Sequence, residues 1–374
     1  MIKILDSKKN NFNSSLDNLL SKRKNKIKFN RSIVVNIIKD IKKNGDKALK
    51  KYEKKFSKNS TIFLKPKEIK EQIRNLDKKV KKSIDLSYKR IFEFHLKQKV
   101  KNIYYKDKLK NKLSYKYIPL DSVGIYVPGG TASYPSTVLM NAIPAIIAGV
   151  KRIVMVNPRN KGKQNSGVLY AAKKCGIKEI YSIGGAQAVA TLAYGTKKII
   201  KVSKIVGPGN LYVTTAKKEI FGDVGIDMIA GPSEITVVGD KYSNPNWIVS
   251  DLIAQAEHDV LATPVLLVTS ENQARKVLKS ISEQLPLLER VDIAKQAMLR
   301  GGAIVVKDID RAIELANRFA PEHLCLLIDD PTSVLEKIKN AGGVFIGETS
   351  PEVLGDYTAG PSHVMPTGGS ARWA

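Results

Sequence analysis

Four histidines occur in the 374 residues, and three of them stand in short acid- or amide-bearing blocks in the last third of the chain. The blocks are Gln255-Ala256-Glu257-His258-Asp259, Pro321-Glu322-His323-Leu324 and Asp356-Tyr357-Thr358-Ala359-Gly360-Pro361-Ser362-His363. Imidazole is the commonest neutral metal ligand and the commonest acid/base near neutral pH, so histidines placed beside carboxylates point to chemistry. Gln255 and His258 lie three apart near the end of an expected helix and project from one face, where an amide oxygen and an imidazole nitrogen can share one cation. The plainer alternative is a helix-end histidine satisfied by Asp259. Glu322 and His323 offer two proton carriers with different natural pKa values, suited to successive proton transfers. Asp356 and His363 fall in a Gly/Pro loop, where Asp356 could supply a ligand oxygen and His363 a hydrogen bond to a substrate; the alternative there is a solvated loop. His95, in a lysine-rich stretch, reads as an ordinary surface or core residue. Cys325 is a conceivable acyl-forming nucleophile, but it falls inside an apolar strand pattern and reads as core.

These residues need a scaffold, and the pattern supplies one. Residues 1–118 read as helical, with Ile33, Ile37, Ile38 and Ile41 near helical spacing. From Ser122 the texture becomes strand, glycine turn, helix. Strands are expected at 123–127, 152–156, 179–183 and 205–206, then in a second series at 234–238, 264–269, 303–306, 324–328 and 343–346. Such alternation builds parallel sheets through right-handed crossovers, hence two doubly wound α/β units. Clefts at the carboxyl ends of their strands are the expected ligand sites. Glu322-His323 should instead lie at the amino end of its strand or in the loop leading to it. Gly129-Gly130, Gly184-Gly185 and Gly207-Pro208-Gly209 each close a strand and open a helix, exposing amides to anions. None completes a G-x-G-x-x-G fingerprint. Ala230-Gly231-Pro232-Ser233-Glu234 is a similar turn, with the Ser233 hydroxyl available to a ligand.

Composition bounds the rest. With 43% hydrophobic and 26% charged residues the chain reads as a soluble globular protein. Its longest nearly uncharged apolar stretch, 137–150, falls short of the roughly 20 residues of a membrane helix. Two well-separated cysteines and a charged start without a secretory pattern point to a cytoplasmic location. The net charge of +28 is uneven: residues 1–120 hold 36 Lys+Arg against 11 Asp+Glu. Those lysines are scattered among Ile, Asn, Leu and Ser, so a solvated helical face accounts for them without nucleic acid.

Taken in order, the blocks VGIYVPGGTASYPSTVLMNAIPA, GGAQAVATLAYGT, VGPGNLYVT, DMIAGPSE, DLIAQAEHD, APEHL and LGDYTAGPSHVMPTGGSAR resemble histidinol dehydrogenases from about residue 118 to the end. The first 118 residues match loosely. The resemblance implies zinc-dependent oxidation of L-histidinol through L-histidinaldehyde to L-histidine with two NAD+, in a homodimer with a shared active site. It implies Gln255, His258 and Asp356 as zinc ligands and Glu322 and His323 as the acid/base pair. It implies Ser233, Gln255, His258, His323, Asp356 and His363 as substrate contacts, and Tyr126, Gln187 and Asn210 as NAD contacts. The implied architecture resembles that of aldehyde dehydrogenases: an N-terminal helical arm (1–25), one α/β domain from 26–125 plus 233–374 with the catalytic and zinc residues, and a second from 126–232 with the NAD contacts. The family continues past the SAR block into a helical segment that gives the partner subunit a further zinc-ligand histidine and a substrate-binding glutamate. On this reading the sequence given is C-terminally truncated and one protein ligand short, so it is expected to hold zinc weakly, with little or no histidinol oxidation.

Overall fold

A computed structural model describes residues 3–24, 29–59, 61–129, 134–159 and 162–373. Gly130, of the first glycine turn, lies outside the described residues. The chain forms two compact units, one from residues 1–29, 230–355 and 365–374, the other from 30–229 and 356–364. It opens with strand β1 (Ile4–Asp6) and helix α1 (Phe12–Lys24), both in the first of these units.

The second unit begins with α2 (Arg31–Ser57), α3 (Pro66–Arg74) and α4 (Lys78–Lys97), then the antiparallel hairpin β2 (Ile103–Lys106) and β3 (Lys112–Tyr115). Next come β4 (Ser122–Tyr126), α5 (Pro135–Ala148), β5 (Arg152–Val156), α6 (Ser166–Lys174), β6 (Glu179–Tyr181), α7 (Gly185–Tyr194), β7 (Lys204–Val206), α8 (Leu211–Ile220) and β8 (Gly225–Ile226). The strands form an all-parallel sheet of order β6-β5-β4-β7-β8. All five residues of the central β4 are buried, as expected for a parallel strand covered by helices on both faces. Helix α5 starts with Pro135 in its first turn and stops at Gly149, whose φ of 91° turns the chain out of the helix.

The first unit resumes with β9 (Glu234–Gly239), α9 (Pro245–Ala256), β10 (Thr263–Val268), α10 (Glu271–Gln284), α11 (Val291–Arg300), β11 (Gly302–Val305), α12 (Ile309–Phe319), β12 (His323–Leu327), β13 (Gly343–Ile346) and the start of α13 (Glu352–Tyr357), whose Asp356 and Tyr357 are assigned to the second unit. Its sheet, also all parallel, runs β1-β11-β10-β9-β12-β13. Alternate residues supply its two cores. Ile235, Val237, Leu266, Val268, Cys325 and Leu327 pack on one face, and Val238, Val265, Leu267, Leu324 and Leu326 on the other. Burying each such side chain contributes about 1.5–3 kcal/mol, and together these residues fix the register of the strands that carry the site.

Two expectations change. Residues 1–118 are not wholly helical: β1 completes one edge of the six-stranded sheet, and the stretch 103–115 forms a hairpin. The expected division 26–125 plus 233–374 against 126–232 also differs from the observed units. Helix α2 packs on α7 and α4 on α5, and β4 is the centre of the five-stranded sheet, so residues 30–125 cluster with the second unit. The N-terminal arm, by contrast, belongs to the first.

Candidate active site

In the first unit the candidate residues gather where the strands begin. Glu322 precedes β12 and His323 is its first residue; Ser233 precedes β9, and its carbonyl accepts the amide of Thr263 at the head of β10. The helix of a βαβ crossover runs back along the sheet, so the last turn of α9 returns Gln255 and His258 to this same edge. The carboxyl-end rule therefore fails in this unit.

His323 and Glu322 are both buried. His323 Nδ1 lies 3.1 Å from the carbonyl oxygen of Glu234, which can only accept, so Nδ1 carries the proton. Nε2 then faces Glu352 Oε1 at 3.3 Å. Glu352 is 1% exposed, and two lone pairs that close in the interior would repel. A proton taken up at Nε2 would lie between the two groups. Glu322 Oε2 accepts the backbone amide of Glu234 at 3.1 Å and lies 3.8 Å from His323 Nδ1. A single residue, Glu234, thus holds both side chains through its two main-chain groups.

Asp251 on α9 accepts the amide of Glu352 at 3.3 Å, and burial pushes its carboxyl up to about 6. Gln255 lies one helical turn further on the same face. Its side chain is 1% exposed, and its Oε1 is buried with no hydrogen-bond partner. An orphaned carbonyl oxygen costs about 1–3 kcal/mol, and a cation at that point would offset it. An amide oxygen and an imidazole are both donors a metal accepts, and the exposed His258 follows Gln255 at the end of the same helix.

In the second unit, Asp356 Oδ1 and His363 Nδ1 lie 3.4 Å apart. Tyr126 is the last residue of β4, and Gln187 and Asn210 follow the carboxyl ends of β6 and β7, as the rule for doubly wound sheets expects. The Tyr126 hydroxyl accepts the amide of Gly185 at 3.0 Å, and burial pushes it up to about 12. Gln187 Nε2 donates to Glu53 Oε1 at 2.8 Å, which also accepts the amide of Gly184 at 3.1 Å. Burial raises the pKa of Glu53. Asn210 caps α8, its Oδ1 accepting from Tyr212 and Val213 amides at 3.1 and 3.2 Å. Gly207, at φ 105°, brings the end of β7 against the Tyr126 carbonyl so closely that no Cβ fits.

Sequence reading missed Glu352, Asp251 and Glu234 in one unit and Glu53 in the other, because an acidic residue at an expected helix or strand carries no sign of its burial. His95 is buried, with Nδ1 2.6 Å from Gln98 Oε1, and is packed edge-on to Phe94. Cys325 is 0% exposed, and burial, with the Asp251 and Glu352 charges adding, raises its thiol well above the usual value. It cannot serve as a thiolate.

Parallel α/β sheets with a buried acid/base dipeptide at the strand heads of one of them describe an α/β enzyme equipped for proton transfer. The histidinol dehydrogenase family model matches residues 20–374. A histidinol dehydrogenase of Pelagibacter ubique (strain HTCC1062) is 60% identical over 376 residues, covering 100% of this chain and 88% of that one. One from Agrobacterium fabrum (strain C58 / ATCC 33970) is 47% identical, covering 91% and 80%. The crystal structure of histidinol dehydrogenase from Elizabethkingia anophelis superposes with a TM-score of 0.95 at 38% identity, covering 100% of this chain and 86% of that one. The chain belongs to the histidinol dehydrogenase family, oxidoreductases of histidine biosynthesis. A likeness of fold alone extends to an acetylating aldehyde dehydrogenase from Geobacillus thermoglucosidasius, at TM-score 0.50 and 15% identity over 96% of this chain and 91% of that one.

Proposed function

We propose that this chain oxidises L-histidinol through L-histidinaldehyde to L-histidine with two NAD+ and one zinc ion per subunit. The observation that carries the reading is the double grip of Glu234 on Glu322 and His323, which fixes the imidazole as its Nδ1–H form beside a carboxylate. His323 then has Nε2 to take the alcohol proton, with Glu352 stabilising the imidazolium. Glu322, held by one backbone amide, takes a proton from the water that adds to the aldehyde. Ser233 and His363 contact the substrate. Gln255, His258 and Asp356 would hold zinc, which when bound supplies a redox-inert positive charge that orients the amino alcohol. Tyr126, Gln187 and Asn210 would contact NAD+, the hydride acceptor. In each, part of the polar side chain is already committed to the protein, which suits a cofactor that visits twice per turnover and leaves.

Homodimerisation is part of the proposal. The β2–β3 hairpin presents Tyr104, Tyr105, Leu113 and Tyr115 exposed, an apolar surface that a second copy would cover. Among the described residues no helix is long and apolar enough to cross a membrane. The test is NADH formation from L-histidinol by the zinc-supplemented protein. Activity lost with a chelator and recovered with zinc supports the reading; chelator-insensitive oxidation contradicts it.

A further inference from the structure

Arg23 in α1 lies within the stretch that the family model matches, and its side chain is only 6% exposed. Its guanidinium grips the equally buried Glu234 with two bonds, Nε to Oε1 at 2.7 Å and Nη2 to Oε2. Nη1 donates to the Phe319 carbonyl at 2.7 Å, and the planar group sits 5.6 Å from the Phe319 ring centroid. Glu234 Oε2 also accepts the amide of Gly368 at 3.2 Å. The side chain of Glu234 is therefore held by the N-terminal arm and by the C-terminal residues of the same unit, while its main chain holds Glu322 and His323. A buried ion pair contributes little net stability, because desolvation offsets the attraction and an apolar pair would serve the core as well. What a two-pronged Arg–carboxylate pair does supply is orientation.

We propose that Arg23 is a positioning residue for the oxidation site. By fixing the Glu234 side chain it fixes the rotation of the peptide groups on either side of residue 234. Those groups set the imidazole of His323 as the Nδ1–H form and aim the carboxylate of Glu322. The catalytic part of this inference rests on the proposed roles of Glu322 and His323; the structural part does not.

Four histidines make the ring nitrogens assignable by single substitutions in 15N spectra of the intact chain. The variant Arg23→Met/Glu234→Gln removes both charges and keeps similar shapes. In it the His323 ring pattern is expected to move from one Nδ1–H form towards an average of both forms, with His95 unchanged. The kcat values for histidinol and for histidinaldehyde should each fall at least about tenfold, since sub-ångström misplacement of catalytic groups has effects of this order. The KM for NAD+ should stay within about twofold, because no NAD contact is touched. An unchanged His323 pattern overturns the proposal, as does a KM for NAD+ that rises in step with the loss of kcat. Should the double variant not fold, Arg23→Lys keeps the charge and loses the fork; an unaltered His323 pattern and kcat in that variant also overturn it. If the parent chain oxidises no histidinol but the His323 pattern responds to Arg23, the positioning role stands and the functional reading fails.

Discussion

Gly342→Ala tests how tightly the acid/base dipeptide is held. Gly342 has an ordinary backbone conformation, so the constraint there is space. A Cβ at 342 would lie 2.6 Å from the carbonyl oxygen of Glu322, 3.2 Å from Met365 Cβ and 3.3 Å from Pro366 Cδ. Ordinary carbon–oxygen contacts begin near about 3.3 Å, so something must yield by about 0.7 Å. The chain is pinned on both sides of the clash, by Gly342 N to Pro321 O at 3.0 Å and Gly343 N to Glu322 O at 2.8 Å. The displacement therefore falls on residues 321–323, where Glu322 and His323 are placed. An error of about 1 Å in catalytic geometry costs about 10²-fold, so a loss of kcat of roughly tens-fold is expected, about 2 kcal/mol in the barrier. Overpacking should lower stability by about 1–3 kcal/mol. Steady-state oxidation of histidinol by the zinc-saturated protein, with a denaturant titration alongside, measures both. A kcat within twofold of the parent would refute the claim that this contact fixes the dipeptide.

Three further substitutions probe the same unit. Asp251→Asn removes a carboxyl that burial pushes from 3.8 to about 6. An acid whose pKa rises on folding lends stability below its unfolded value and loses it as pH climbs through about 6, so the parent should weaken between pH 4 and 6. The variant should show a flatter profile there and be more stable by about 1–3 kcal/mol at pH 7 in urea titrations; parallel profiles would refute this. Cys325→Ala should cost about 1–2 kcal/mol and leave kcat near that of the parent, since the thiol is buried and neutral. Loss of activity in a folded variant would revive a thioester mechanism. Gln255→Ala should weaken zinc, titrated calorimetrically, by about tenfold or more. It should change stability little, since Oε1 gives up no hydrogen bond.

What the sequence made legible follows from what leaves a local mark. Parallel strands buried on both faces read as apolar runs bounded by glycine turns, so β4, β5, β9, β10 and β12 were placed within a residue or two. Rare histidines beside acids made Glu322, His323, Gln255 and His258 candidates, and the structure gathers the first two around one residue, Glu234. The hairpin β2–β3 was illegible because its strands are short, interrupted by lysines and packed on no core, leaving all eight strand residues exposed. Glu234, Glu352, Asp251, Arg23 and Glu53 were illegible because burial of a charged side chain depends on partners distant in the chain. Arg23 and Glu234 are separated by 211 positions. The grouping of 30–125 with the second unit has the same origin, since helix-on-helix partners are not written in helical periodicity.

The central claim is that Glu322 serves the aldehyde step and His323 the alcohol step. Its most direct test is the yield of NADH per histidinol consumed by Glu322→Gln. Glutamine still offers an oxygen to the Glu234 amide but no longer takes a proton from water. The account predicts two NADH per histidinol for the parent, and for the variant a yield approaching one as histidinaldehyde accumulates and is trapped by semicarbazide. A variant that still yields two NADH with no aldehyde to trap, at whatever rate, would contradict it.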